Sequence, residues 1–146
     1  MRKFLLAAAL VVAATSAHAQ ISRMPGVPLR DKAASTFARA DRNAENVYME
    51  EGMAGIQAAV EKCYRGKRTV ASVQYCLALH YAGHVRDEDF AQSSIGQGRR
   101  LPYFTKAKVY RTGMNALRGL GFTEERATQT VGVWLAASDY ANGRRH

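Results

Sequence analysis

The stretch 63-CYRGKRTVASVQYCLALHYAGHV-85 decides the fold. Val70, Val73, Leu77, Tyr81 and Val85 recur at spacings of three and four, the stripe of an amphipathic helix. Upstream, Met49, Met53, Ile56, Val60 and Cys63 step the same way, and Gly66-Lys67-Arg68 ends that run. Two helices on a short connection make a helical hairpin. Cys63 and Cys76 are the only cysteines, one on each arm. In an oxidising compartment such a pair is expected to be bonded, stapling the hairpin. Closing so short a loop contributes about 3 kcal/mol. Bonded residues need Cα atoms within about 7 Å, and in an antiparallel hairpin they sit equally far from the turn. The midpoint of 63 and 76 falls between Thr69 and Val70, beyond the glycine turn. Either the connection runs to about Ser72, which then caps the next helix, or the bond joins offset turns. The first arrangement is the expectation.

Outward from the hairpin the spacing stays helical. Ala33, Phe37, Ala40, Ala44 and Val47 form a first stripe, in a different phase from the Met49–Cys63 stripe. A break is therefore expected near Asp41–Asn46, where Asp or Asn can cap a new start. Residues 85–101 lose periodicity and read as a long loop. Pro102 suits the first turn of a helix striped by Tyr103, Ala107, Tyr110, Met114 and Leu117. Gly119 and Gly121 end it, and Thr123 caps a last helix with Glu124 and Glu125 in its first turn. Ala127, Val131, Trp134, Leu135 and Ser138 carry that stripe to a stop at Asn142-Gly143. No segment alternates with a period of two. The expected fold is all-α: a small four- to five-helix bundle with one hairpin stapled by a disulfide. Gly52, Gly55, Gly83, Gly113 and Gly132 fall within these helices. Each costs about 1 kcal/mol against Ala unless a close helix contact offsets it.

The N-terminus has its own pattern. Arg2-Lys3 precedes the apolar run Phe4–Ala14, and Ala17-His18-Ala19 supplies the small residues of a cleavage site. This is the order of a secretory signal peptide over residues 1–19. The run falls short of the roughly 20 residues of a membrane-spanning helix. Residues 20–30, with Pro25, Gly26 and Pro28, read as an extended lead-in. Residues 31–143 form a single helical domain, and 144–146 a basic tail. The expected location is periplasmic or secreted, with no transmembrane segment after cleavage.

The full chain carries 21 Lys and Arg against 12 Asp and Glu. Removing the signal removes two of the bases, so 19 face 12, a formal +7. Residues 41–61 hold five acids and one base, whereas 90–123 hold six bases and no acid: Arg99, Arg100, Lys106, Lys108, Arg111 and Arg118. These stretches either complement each other, within one fold or across a dimer, or leave the bases as a docking patch. Export makes nucleic acid a poor partner and favours an acidic protein or an anionic envelope component. Phe90, Ile95 and Tyr103 near Arg99 and Arg100 have the aromatic and arginine content of an interface.

Cys76, His80 and His84 lie four apart, on one helix face. The H-x-x-x-H spacing is that of helical metal sites, but Tyr81-Ala82-Gly83 holds no catalytic Glu beside the first histidine. A disulfide would also withdraw both thiolates. The histidines sit on or beside the apolar stripe, so the favoured expectation is two half-buried imidazoles bonded to a backbone carbonyl or to Asp87, Glu88 or Asp89. A pH-sensitive contact is a third reading. Nucleophile-elbow, phosphate-loop and haem-attachment motifs are absent, and no catalytic residue is assigned. The functional expectation is an exported helical binding protein for an acidic or anionic partner, of the inhibitor, immunity or envelope-stress kind, with no cofactor. The alternative is a metal- or cofactor-binding protein using His80 and His84.

Overall fold

A computed structural model of the chain describes residues 30–66 and 69–143. The expected signal peptide and basic tail lie outside the described residues, as does the lead-in except for Arg30. The described residues form a small all-α bundle of four helices without a strand. These are α1 (Arg30–Gly66), α2 (Val70–Gln92), α3 (Lys106–Arg118) and α4 (Glu124–Gly143), with a 3-10 turn at Pro102–Phe104 before α3. Helix α2 is the centre, packing against α1, α3, α4 and the 3-10 turn. Such a helix must be covered nearly all round. Val73, Cys76, Leu77, Tyr81 and Val85 are buried on it, and so are His80, His84 and Asp87.

Cys63 and Cys76 are bonded, with Cα atoms 5.5 Å apart. The way they meet corrects the expectation. Thr69, not Ser72, is the N-cap of α2, and the two form a capping box: the Ser72 N–H donates to Thr69 Oγ1 (3.1 Å) and the Thr69 N–H to Ser72 Oγ (3.0 Å). The bond thus joins offset turns, three residues before the end of α1 and six after the start of α2. Packing sets this register. Ile56, seven residues before Cys63, approaches Gly83, seven after Cys76, so this half of α1 runs antiparallel to α2. Gly83 permits the approach, since a Cβ there would lie 2.4 Å from the Phe104 ring and 3.0 Å from Ile56 Cγ2.

The break in α1 falls at Gly52 (φ +68°, ψ −159°), not near Asp41–Asn46. Only glycine takes that conformation without steric cost. Asp41 is instead buried and committed to a tertiary pair. Arg86 Nη1 donates to its carboxylate at 2.6 Å and Arg86 Nη2 to its carbonyl at 3.2 Å.

The expected loop over 85–101 is also corrected, because α2 continues to Gln92. Asp87 hides the periodicity by occupying an inward position that the pattern reserves for an apolar residue. It is 1% exposed and accepts from the Leu101 N–H (3.0 Å) and Arg100 Nε (3.2 Å). Pro102 opens the separate 3-10 turn, and α3 starts behind its own cap, Thr105, which accepts from the Lys108 N–H. Tyr103 therefore leaves the expected α3 stripe. The buried residues of α3 are Val109, Gly113, Ala116 and Leu117. Gly113 lies against Leu77, where a Cβ would stand 2.7 Å from Cδ1. Gly119 caps α3, and Gly121 (φ +89°) turns the chain toward Thr123, whose Oγ1 accepts from the Arg126 N–H. On α4 the whole expected stripe is buried, with Trp134 at its centre. No described helix is long and apolar enough to cross a membrane.

Candidate functional site

The two histidines act as clamps on the chain that follows α2. Four apart on one face, both reach the 3-10 turn. His80 Nε2 donates to the Tyr103 carbonyl (2.9 Å), and His84 Nδ1 donates to the Phe104 carbonyl (2.8 Å). Carbonyls only accept, so each of these two ring nitrogens carries a hydrogen. Phe104 is fully buried against Gly83, and its ring meets His80 edge-on. Tyr103 lies over His80 at 4.9 Å between ring centres. Burial pushes the His80 imidazole down to about 4, aided by the positive Lys108 and by His84 and opposed by the Tyr103 carbonyl. His80 is therefore neutral at ordinary pH. Its Nδ1 is buried without a hydrogen-bond partner. His84 Nε2 faces Glu88 Oε2 at 3.5 Å.

This geometry bears on the metal reading of Cys76, His80 and His84. The sulfurs are bonded to each other, and one nitrogen of each imidazole holds a carbonyl. Among the described residues, no cluster of three or more His, Cys, Asp or Glu is placed to hold a metal ion.

A second cluster gave no signal in the spacing. Tyr81 donates its hydroxyl to Asp139 Oδ1, and Lys106 Nζ donates to Asp139 Oδ2 at 2.8 Å. The link ties α2, α3 and α4 together across 58 residues of chain. Burial first, and then the Asp139 carboxylate, raises the Tyr81 phenol well above its usual range, so it remains a donor. Only a pairing between distant helices could have revealed it.

The six bases separate into two groups. Arg100 and Lys106 are held by acids: Arg100 by Asp87 and, through both terminal nitrogens, by Glu88 at 3.1 Å; Lys106 by Asp139. Arg99, Lys108, Arg111 and Arg118 are exposed, and their side chains make no ion pair among the described residues. The acids of residues 41–61 do not neutralise them. In the described ion pairs Asp41 and Glu45 turn to Arg86, and Glu61 to Arg65. The aromatic-and-arginine patch divides similarly: Tyr103 packs on His80 and the exposed Arg100 is held by Asp87 and Glu88, whereas Phe90, Ile95 and Arg99 face solvent.

Three of the free cations belong to α3. Lys108, Arg111 and Arg118, with Asn115 between the last two, follow a three–four–three spacing and share one stripe. That stripe lies opposite the buried Val109, Gly113 and Ala116. Beside it a shallow groove opens between α3 and α4, lined by Ala107, Tyr110, Met114 and Leu135 with Lys106 and Arg111 at its edge. A row of cations beside an apolar furrow suits an acidic surface that also offers a small apolar contact. Arg99, the fourth free cation, borders a different groove, between α1 and α2. Comparison of the chain with family models, curated proteins and solved structures found no match.

Proposed function

We propose that this is a small exported binding protein that docks an acidic partner protein on the α3 stripe of Lys108, Arg111 and Arg118. The observation that carries the reading is the unneutralised state of that stripe. Nearby acids are engaged elsewhere: Asp87 and Glu88 on Arg100, Asp139 on Lys106 and Tyr81. Lining up like charges costs free energy in the isolated protein, and a partner of opposite charge relieves it. The adjoining furrow over Tyr110 and Met114 adds an apolar contact, which favours a folded protein surface over a simple polyanion. Export is supported by the charge, apolar run and Ala-x-Ala order of residues 1–19 and by the Cys63–Cys76 bond, which suits an oxidising compartment.

Pull-down from an envelope extract tests the reading. The native chain should retain an acidic protein that is released by salt. The triple reversal Lys108→Glu, Arg111→Glu, Arg118→Glu should lose it, while Arg100→Gln, which alters an internally paired base, should keep it. Capture that survives the triple reversal overturns the assignment.

A further inference from the structure

The second groove lies where α1 breaks. It is bordered by Met49, Met53 and Gly52 of α1, Phe90 of α2, and Arg99 and Leu101 of the following loop, around a space of about 590 Å³. Five large hydrophobic residues are exposed among the described ones, and three of them are here: Met49 at 78%, Leu101 at 42% and Phe90 at 39%. The other two, Ile95 and Tyr140, do not border this groove. Thioether side chains are flexible and polarisable, and they suit apolar ligands of variable shape.

Polarity gives the groove a direction. Arg99 stands at one end, exposed, with its guanidinium in no described hydrogen bond or ion pair. The backbone that presents it is strained: Gln97 holds φ +50°, a left-handed conformation costly for a residue with a Cβ, and Gly98 follows at +76°. Asp87 also borders the space, but its oxygens are engaged by the Leu101 N–H and by Arg100. At the other end the groove continues past Tyr48 and Phe90 to Glu45, Asp89 and the Asp41–Arg86 pair, three acids against one base. An anion is repelled there and attracted at Arg99. The occupant that matches one cationic end, an apolar floor and an acidic far end has a single anionic head on an alkyl chain.

We infer that the groove at the α1 break binds a single-chain fatty carboxylate, with its head on Arg99 and its chain over Met49, Met53, Phe90 and Leu101. The space falls within the range of small-molecule sites, roughly 300–1,000 Å³. This site is separate from the α3 stripe and does not depend on it.

Methionine methyl groups report on the two grooves independently, since Met49 and Met53 line this one and Met114 lines the other. Full-length protein labelled with ¹³C at the methionine methyls is titrated with monomeric laurate. Saturable shifts are expected at Met49 and Met53, with Met114 unmoved. Arg99→Gln should weaken laurate about tenfold, and dodecanol should bind the native protein no more tightly than laurate binds that variant. Absence of saturation below the micelle concentration overturns the inference. So does a response centred on Met114, dodecanol affinity equal to that of laurate, or a response to anionic vesicles without one to monomeric laurate.

Discussion

Gly83→Ala is the sharpest test of how the core is assembled. Gly83 is buried mid-way along α2, where an alanine would ordinarily strengthen the helix by about 1 kcal/mol. Here the added Cβ would stand 2.4 Å and 2.7 Å from two atoms of the Phe104 ring and 3.0 Å from Ile56 Cγ2. The ring has little room to retreat, because Phe104 is fully buried with His80 and Tyr103 against it and its carbonyl is held by His84. Overpacking of this kind costs about 1–3 kcal/mol. Subtracting the helix gain leaves a net loss of up to about 2 kcal/mol. Gly132→Ala is the matched control: it also lies inside a helix, but nothing stands within 4 Å of its added Cβ. That variant should gain up to about 1 kcal/mol. Urea unfolding followed by circular dichroism reads both, with midpoints moving in opposite directions by about 0.5–1 M. If Gly83→Ala is stabilised as Gly132→Ala is, the close approach of α1, α2 and the 3-10 turn is misassigned.

Other variants probe other parts of the account. Replacing both Cys63 and Cys76 by Ser should cost about 3 kcal/mol in the same assay, and an unchanged midpoint would show that the staple contributes nothing. Asp41→Ala removes the carboxylate from the largely buried Arg86, leaving it the residue-41 carbonyl at 3.2 Å and Glu45 at 3.9 Å; a loss of about 2–3 kcal/mol is expected. The exposed Glu45→Ala should stay within about 0.5 kcal/mol of native. His80 predicts a pH dependence. Its folded imidazole stays neutral down to about 4, whereas in the unfolded chain it takes a proton near the ordinary histidine value of 6.5. Between those values the unfolded state binds more protons, so the His80 contribution is complete above about pH 6.5 and is lost as the pH falls toward 4. The loss amounts to about 3 kcal/mol when complete. His80→Gln should flatten that slope, and an unchanged slope would place the titrating group elsewhere.

What the residues disclosed before folding, and what they withheld, follows physical lines. The helices of the hairpin and of α4 were legible because their inward positions are apolar and regularly spaced, from Val73 to Val85 and from Ala127 to Leu135. The last two turns of α2 were not, because the inward residue is Asp87, made tolerable by a backbone N–H and a guanidinium from the loop beyond. The break in α1 was misplaced for a related reason. Asp41 has the chemistry of a cap but is committed to Arg86, while Gly52 shows its left-handed conformation only in three dimensions. The bonded cysteines were legible as a pair. Their offset register was not, because it depends on Ile56 and Phe104 meeting the missing side chain of Gly83. At the candidate site, composition disclosed the six bases but not their division. Arg100 and Lys106 look no different from Arg111 and Arg118 until Asp87, Glu88 and Asp139 are brought beside them.

The α3 stripe is tested most directly by covalent capture in the intact cell. Asn115 lies between Arg111 and Arg118 and is exposed, and a photo-crosslinking residue there samples whatever covers the stripe. The account predicts a discrete adduct with an acidic envelope protein. It should be absent when the crosslinker is moved to the exposed Ala54 of α1 and absent when Lys108, Arg111 and Arg118 are reversed in charge. No adduct from position 115, or one that persists after the charges are reversed, would contradict it.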